Sequence, residues 1–358
     1  MTLGRVVGIC ACIVISADAA AGQQSGDTPA QGQAAPATTV IERTHAAAGL
    51  APWRRVQVRT ESGSREIVVD TFEVPGIEGR LAPTHESVVE TNRPAPNTAQ
   101  TRRELFWFPD GRRTLLEATD SRRETLPNGD SRAVHETSAP DLNGRLGVTS
   151  RQIEETRSAL DVRETQTTLL LPDADNTLRA AERTESTERV VDPGLVRHDS
   201  TQLIRDVNGR WHAIEVHRGE TRVVAAERLE EAEIQRRDVN GTLAVEERRA
   251  TRSSTADGRE HVVIETHAPY ADGSSRWALS ERVQRTTTPT ADGGRHTVEE
   301  LASRNRAAPS DPLRVTSRTV TSVRQAGSGR WVTERQVFEL DANGRLVLAD
   351  TEQEDRQY

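Results

Sequence analysis

A short turn motif recurs along this chain at a nearly constant spacing, and it restricts the fold more than any other feature. The motif is D-x-N-G, and it begins at Asp141, Asp206, Asp238 and Asp341, with looser copies between them. The turn glycines or their equivalents lie at 79, 111, 144, 176, 209, 241, 273, 312 and 344, about 33 residues apart. A fixed period of this size indicates one repeated supersecondary unit.

A second series of turn-forming residues falls halfway between these positions, for example at Gly63, Gly129, Gly194 and Gly258. Asn-Gly and Asp-Gly supply the positive φ angles that tight hairpin turns need. The two interleaved series therefore predict about nine hairpins of ~32 residues, with turns alternating between two ends and strands of about 12 residues.

The predicted fold class is all-β: an extended antiparallel β-hairpin repeat that forms a long twisted or coiled meander sheet. Apolar residues two and four positions after the turn glycine, such as Leu146 with Val148 and Trp211 with Ala213, predict an apolar stripe along one end of the strands. The segment 220–237 has the residue preferences of a helix, but its place in the repeat favours two strands with a turn near Ala226. The sequence leaves open whether the sheet is open, coiled or closed.

The composition of the chain divides it into three predicted regions. Residues 1–21 resemble a secretory signal peptide, with Arg5 before an apolar run over 6–15 and a small-residue cleavage site at 17–19. Residues 22–52 are rich in Gly, Ala, Pro and Gln and predict a flexible low-complexity linker. Residues 53–358 form the predicted β-hairpin repeat domain. Both cysteines, Cys10 and Cys12, lie within the signal segment, so no disulfide is expected in the mature chain.

The segments DLNGRL, DVNGRW and DANGRL resemble the turn of the YD (RHS-type) hairpin repeat, a family in which hairpins wind into a large β shell. The resemblance covers the turn and the two or three residues after it. The tyrosine that the family places before the aspartate is absent, because Pro140, Arg205, Arg237 and Leu340 occupy that position. The resemblance thus implies an array of hairpins, and it carries no functional residue over to this chain.

The chain carries no recognisable pattern for catalysis, metal binding or cofactor binding. It has no Lys and no nucleophile, zinc or phosphate-loop motif. We predict that His212 and His217 face opposite sides of a strand, that His261 and His267 lie too far apart for one metal, and that Asp173 and its neighbours cap a turn. The prediction is no catalytic residue, no metal site and no cofactor, with any binding residues unknown.

The function predicted from these observations is a non-enzymatic secreted or periplasmic scaffold with a structural or surface-interaction role. The alternative is a module that binds glycan or cell-envelope polymer, with sugars stacking on Trp53, Trp107, Trp211, Trp277 and Trp331. The net charge of -8 disfavours nucleic acid as a partner, and leaves an envelope polymer or a protein. Charges on both faces of 209–222 and an aromatic content of 3% predict no membrane insertion after signal removal.

Overall fold

The computed structural model describes residues 37–45, 53–76, 79–238, 240–270, 276–304, 311–327 and 329–357. The chain divides into a segment Met1–Ala34 and a unit Ala35–Tyr358, which contains all of the described residues. The predicted signal peptide and the first part of the predicted linker lie outside the described residues, and both stay predictions.

The described chain is almost entirely β-strand, as the sequence predicts. One 3-10 turn, Pro109–Gly111, lies between two of the strands. The strands are β1 (Ala37–His45), β2 (Trp53–Ser62), β3 (Arg65–Pro75), β4 (Leu81–Ala95), β5 (Thr98–Trp107), β6 (Thr114–Thr125), β7 (Ser131–Pro140), β8 (Leu146–Ala159), β9 (Val162–Pro172), β10 (Leu178–Asp192), β11 (Leu195–Arg205), β12 (Trp211–Val224), β13 (Glu227–Arg237), β14 (Leu243–Ala256), β15 (Arg259–Pro269), β16 (Trp277–Pro289), β17 (Arg295–Ser303), β18 (Arg314–Gly327), β19 (Arg330–Leu340) and β20 (Leu346–Gln357).

These strands form a single 20-stranded antiparallel sheet in which each strand pairs with its neighbours in sequence. The sheet also closes on itself, because β1 pairs with β2 over nine residues and with β20 over six. The architecture is therefore an up-and-down β-barrel. The all-β meander of hairpins is confirmed, whereas a long sheet with two free edges is not what forms.

The closing strand corrects the predicted boundary of the linker at residues 22–52. Residues 37–45, inside that range, form β1. The segment ATTVIERTH contains β-branched residues in a short alternating pattern, so it is able to pair once two strand edges are available. The glycine- and alanine-rich residues on either side of it conceal this strand in the sequence.

The two predicted series of turns lie at the two ends of the barrel. We call the end that holds the turns 76–80, 141–145, 206–210 and their equivalents the D-x-N-G end, and the other the opposite end. Turn glycines such as Gly144 and Gly344 have φ near 75°, which explains why glycine recurs there. The segment 220–237 forms a hairpin, with Ala225 at a φ of 52° in its turn, so the position in the repeat outweighs helix propensity.

A β-bulge follows the turn in each of the nine hairpins at the D-x-N-G end. The extra residues are Thr84, Leu116, Thr149, Ala181, Ile214, Glu246, Ser280, Thr316 and Ala349. Most of them lie five positions after the turn glycine. A bulge adds one residue to one strand, so it reverses which side chains point to which face beyond it.

The described residues contain very little packed core. The buried apolar residues are Phe106, Ala118, Ala133, Ile234, Val262 and Val332, and the buried polar ones are Thr156, Thr221, Ser280 and Glu354. A single closed sheet whose interior the described side chains do not fill accounts for this pattern, because each of them has neighbours only within its own layer. Backbone pairing and cross-strand side-chain contacts hold this sheet together.

Candidate functional site

Cross-strand partners lie on the same side of a sheet, so the strand register assigns each side chain to one of two faces. Face 1 carries Val148, Trp211, Arg248 and Leu348, and face 2 carries Asp70, Thr156, Glu215 and Ile234. Both faces hold Arg and acidic residues along much of the strand length. The expectation from 209–222 is confirmed here, with Glu215 on face 2 and with Arg218 and Glu220 on face 1.

Face 1 changes character close to the D-x-N-G end, where apolar side chains follow one another around the barrel. This is the stripe that the sequence predicts, and the register places its members on one face. We call it the apolar band, and it consists of Leu81, Phe106, Leu115, Leu146, Val148, Leu170, Leu178, Ala180, Leu203, Trp211, Ala213, Leu243, Val245, Trp277, Leu279, Val315, Phe338, Leu340, Leu346 and Leu348.

The apolar band is partly open to its surroundings: five of its members are exposed, Phe106 is buried and the others are half-buried. The side chains of Leu81, Leu146 and Leu348 are 41%, 49% and 51% exposed. Three aromatic rings in the band are covered by guanidinium groups: Arg113 lies 3.4 Å from the ring centre of Phe106, Arg183 4.7 Å from that of Trp211 and Arg248 4.5 Å from that of Trp277. A cation over the face of an aromatic ring is attracted by the ring quadrupole.

A row of ion pairs lies on face 1 immediately beyond the apolar band. Each pair joins two neighbouring strands of one hairpin, and the pairs are Arg151 with Glu136, Arg248 with Glu233, Arg282 with Glu265 and Arg318 with Glu300. The last three have N–O distances of 2.9, 2.6 and 2.5 Å. We call these pairs the Arg–Glu row. Its signal in the sequence is an Arg that recurs seven positions after the glycines at 144 and 241, a spacing not among the predicted features.

Each complete D-x-N-G turn is closed by its own aspartate. In the turn at Asp238, a carboxylate oxygen accepts hydrogen bonds from the backbone N–H groups of Asn240 at 2.9 Å and Thr242 at 2.8 Å. These hydrogen bonds, the one from Thr242 first, hold the pKa of Asp238 below its ordinary value. The same arrangement occurs at Asp141, Asp173, Asp206 and Asp341. The predicted turn-capping role of Asp173 is thereby confirmed.

The histidines are distributed along the sheet and accept or donate single hydrogen bonds. His212 contacts Asp206 at 2.9 Å and His217 contacts Glu215. The prediction that these two histidines face opposite sides is wrong, because the bulge at Ile214 adds a residue between them and brings both to face 2. Among the described residues, no group of three or more His, Cys, Asp or Glu side chains could hold a metal ion.

The five tryptophans do not form a common platform for sugars. Trp211 and Trp277 belong to the apolar band on face 1, whereas the Trp53 ring packs on Phe72 on face 2 at 5.2 Å. Trp331 begins β19 at the opposite end of the barrel. The rings that share a face are therefore separated by several strands, and the glycan-binding alternative gains no support from their placement.

No protein-family model matches the chain. No curated protein sequence matches it either. No helix in the described residues is long and apolar enough to cross a membrane.

Several solved β-barrels align with most of the chain. A mutant of Rh. blastica porin matches 90% of this chain and all of its own, at 9% identity and a TM-score of 0.42. The siderophore receptor PirA from Pseudomonas aeruginosa matches 89% of this chain and 79% of its own, at 9% identity and a TM-score of 0.46. A BenF-like porin from Pseudomonas fluorescens Pf-5 matches 90% and 97%, at 8% identity and a TM-score of 0.38.

Two predictions from the sequence are contradicted. The extended secreted scaffold is wrong, since the sheet closes into a barrel. The prediction of no membrane insertion after signal removal is also wrong. Its premise, charges on both faces of 209–222, does not extend to the D-x-N-G end, where face 1 carries the apolar band.

Proposed function

We propose that the protein is a non-enzymatic, water-filled β-barrel through which polar solutes pass at the cell envelope. The observation that carries this proposal is the pairing of β1 with both β2 and β20, which closes the sheet around an interior without a packed core. The signal-like segment at the start of the chain supports an envelope location.

The number of strands sets the width of the interior. Eight strands enclose a space that side chains can fill, whereas 16 to 18 leave an aqueous channel. With 20 strands spaced ~4.8 Å apart and tilted by ~40°, the circumference is about 125 Å and the backbone diameter about 40 Å. Side chains about 5 Å deep on each wall leave an opening of roughly 30 Å.

The chemistry of the wall favours small hydrated solutes of either charge. Both faces present Arg and Glu side chains, so the interior is polar whichever face lines it. Most of these charges lie close to a partner of opposite sign, as Arg55 does to Asp70 on face 2 and Arg282 to Glu265 on face 1. A wall of paired charges has a small net field, so it retains neither anions nor cations strongly.

Two neighbouring positions in the middle of β11 allow a direct test. Ser200 lies on face 2 and Thr201 on face 1, and both are half-buried. The mature chain has no cysteine, so Ser200→Cys and Thr201→Cys each introduce a unique thiol. Each variant is treated with a small maleimide dye and with a long PEG-maleimide whose coil is wider than the interior.

We expect one of the two thiols to react with the dye and to resist the long polymer, whereas its neighbour reacts with both reagents. The resistant thiol identifies the face that lines the interior. Equal reaction of both thiols with the long polymer in the folded protein would show that no enclosed interior exists. Failure of one thiol to react even with the dye would show that the interior is filled.

A further inference from the structure

The apolar band is a surface that the described chain does not cover. Its members occupy the two face-1 positions after most of the turns at the D-x-N-G end, so they recur from hairpin to hairpin around the barrel. Five of them, Leu81, Leu146, Val148, Leu340 and Leu348, are at least 36% exposed. The band members between them are half-buried, so partly exposed apolar side chains recur around the barrel. Apolar surface left open in this way marks a contact with a membrane or another molecule.

The continuity of the apolar band favours one type of occupant. A single protein partner would cover a sector of the barrel and leave the rest of the band in water. A lipid leaflet surrounds a cylinder completely and requires no specific shape from it. Because the barrel is closed, its backbone groups are paired within the sheet and no strand edge would meet the acyl chains.

Aromatic residues are concentrated at the same end of the barrel. Four aromatic side chains of face 1, Phe106, Phe338, Trp211 and Trp277, lie in the strand ends next to the D-x-N-G turns. Trp331 lies at the other end of the barrel. Tryptophan is enriched where a protein crosses the boundary between acyl chains and lipid headgroups.

The height of the apolar band limits how deeply the barrel can enter lipid. Its two rows are two residues apart along a strand, as Leu146 and Val148 are, which corresponds to about 7 Å. A barrel that spans a bilayer needs an apolar zone of about 25 Å. A band of about 7 Å matches the 5–10 Å to which interfacial elements sink into one leaflet.

The Arg–Glu row lies where lipid headgroups would begin. Arg151 and Arg248 are three residues further along their strands than Val148 and Val245, the last members of the band on those strands. Their guanidinium groups pair with Glu136 and Glu233, so the row is close to neutral. Attraction to anionic lipid is therefore a small part of the interaction, and burial of the apolar band supplies most of it.

We propose that the D-x-N-G end of the barrel is seated in one leaflet of a lipid bilayer through the apolar band, with the Arg–Glu row at the level of the headgroups. Face 1 is then the outer face. The opposite end projects into water, and the open interior leads from it to the membrane surface. This assignment rests on the band and not on the proposed conduction of solutes.

The position of the tryptophans provides a test with an internal control. Two variants keep a single tryptophan, Trp277 in the band or Trp331 at the opposite end, with the other four changed to Phe. Each is mixed with phosphatidylcholine vesicles that carry brominated acyl chains. We expect strong fluorescence quenching of Trp277 and no quenching of Trp331. Equal quenching of both, or quenching of Trp331 alone, would overturn the proposal.

A second pair of variants distinguishes membrane binding through the apolar band from nonspecific adsorption to vesicles. Leu146→Gln with Leu348→Gln changes the apolar band, and Leu126→Gln with Leu160→Gln changes exposed leucines at the opposite end. In vesicle flotation we expect the first variant to bind at least tenfold more weakly and the second to bind like the unchanged protein. Equal loss in both variants would overturn the proposal.

Light scattering without vesicles tests whether a second copy of the chain, instead of lipid, covers the apolar band. If the unchanged protein forms dimers that the Leu146→Gln, Leu348→Gln variant loses, the band covers a second copy of the chain and the lipid assignment is wrong. The thiol-accessibility experiment is performed without lipid. Its outcome therefore tests the enclosed interior separately from the seating of the barrel.

Discussion

The closure of the sheet predicts a covalent link that an open ribbon could not form. Thr44 in β1 and Gln353 in β20 are direct partners in the register. Partners in an antiparallel pair have Cα atoms about 4.5–5.5 Å apart, which lies within the range that a disulfide spans. The variant with Thr44→Cys and Gln353→Cys should therefore form an intramolecular disulfide on mild oxidation.

This disulfide should also stabilise the barrel strongly. It closes a loop of about 310 residues, for which the chain-entropy relation gives about 6 kcal/mol in the free energy of unfolding. The disulfide is measured by non-reducing electrophoresis and peptide mass spectrometry, and the stability by denaturant unfolding with and without reductant. The oxidised form should unfold at a clearly higher denaturant concentration than the reduced form.

Two control pairs make the result decisive. Thr91 and Thr101 are partners within the hairpin β4–β5, so cysteines at these positions should link in either an open or a closed sheet. Thr187 lies in β10, which pairs only with β9 and β11, so a cysteine there should not link to one at position 44. Linkage of the hairpin pair without linkage between 44 and 353 would refute closure of the barrel.

Two further predictions concern the stability of the wall and its turns. Ile234→Ala should lower the free energy of unfolding by about 2 kcal/mol, because its side chain is only 4% exposed, whereas Ile204→Ala, 39% exposed, should cost about 1 kcal/mol or less in the same urea titration. Backbone hydrogen bonds, those from Thr242 and Arg345 first, lower the folded-state pKa of Asp238 and Asp341, so their contribution to stability is present above the unfolded pKa of about 3.9 and is lost as pH falls through the folded value. The urea concentration at the unfolding midpoint should therefore decrease as the pH is lowered below about 4. The variant with Asp238→Asn and Asp341→Asn should show a smaller decrease, and an unchanged pH profile in this variant would contradict the capping argument.

Much of the fold could be predicted from the sequence because turns are encoded locally. A D-x-N-G segment contains both the cap and the residue that takes a positive φ, so each turn is specified within five residues. Strand identity then followed from the regular spacing, even in 220–237, where helix formers dominate. The resemblance to the YD repeat is limited to this same turn and stays a prediction.

Closure could not be predicted because it is a property of the whole sheet. The twist and stagger of 20 strands must add up so that the first and last strands, β1 and β20, pair with each other. The first strand also lies among residues whose composition is typical of a linker. Open and closed sheets place the same hairpins side by side, so their local sequence patterns are identical.

The recurring bulge explains why the order of side chains along face 1 is hidden when the sequence is read with a strict period of two. In the hairpin at Gly144, Leu146 and Val148 lie two and four residues after the glycine, and Arg151 lies seven residues after it. Simple alternation would place Arg151 on the face opposite to the two apolar residues. The bulge at Thr149 adds one residue and returns Arg151 to face 1, directly beyond the band. The bulge thus orders face 1 into an apolar band followed by an Arg–Glu row, and deletion of Thr149 should turn Leu146 and Val148 toward face 2 in that hairpin alone.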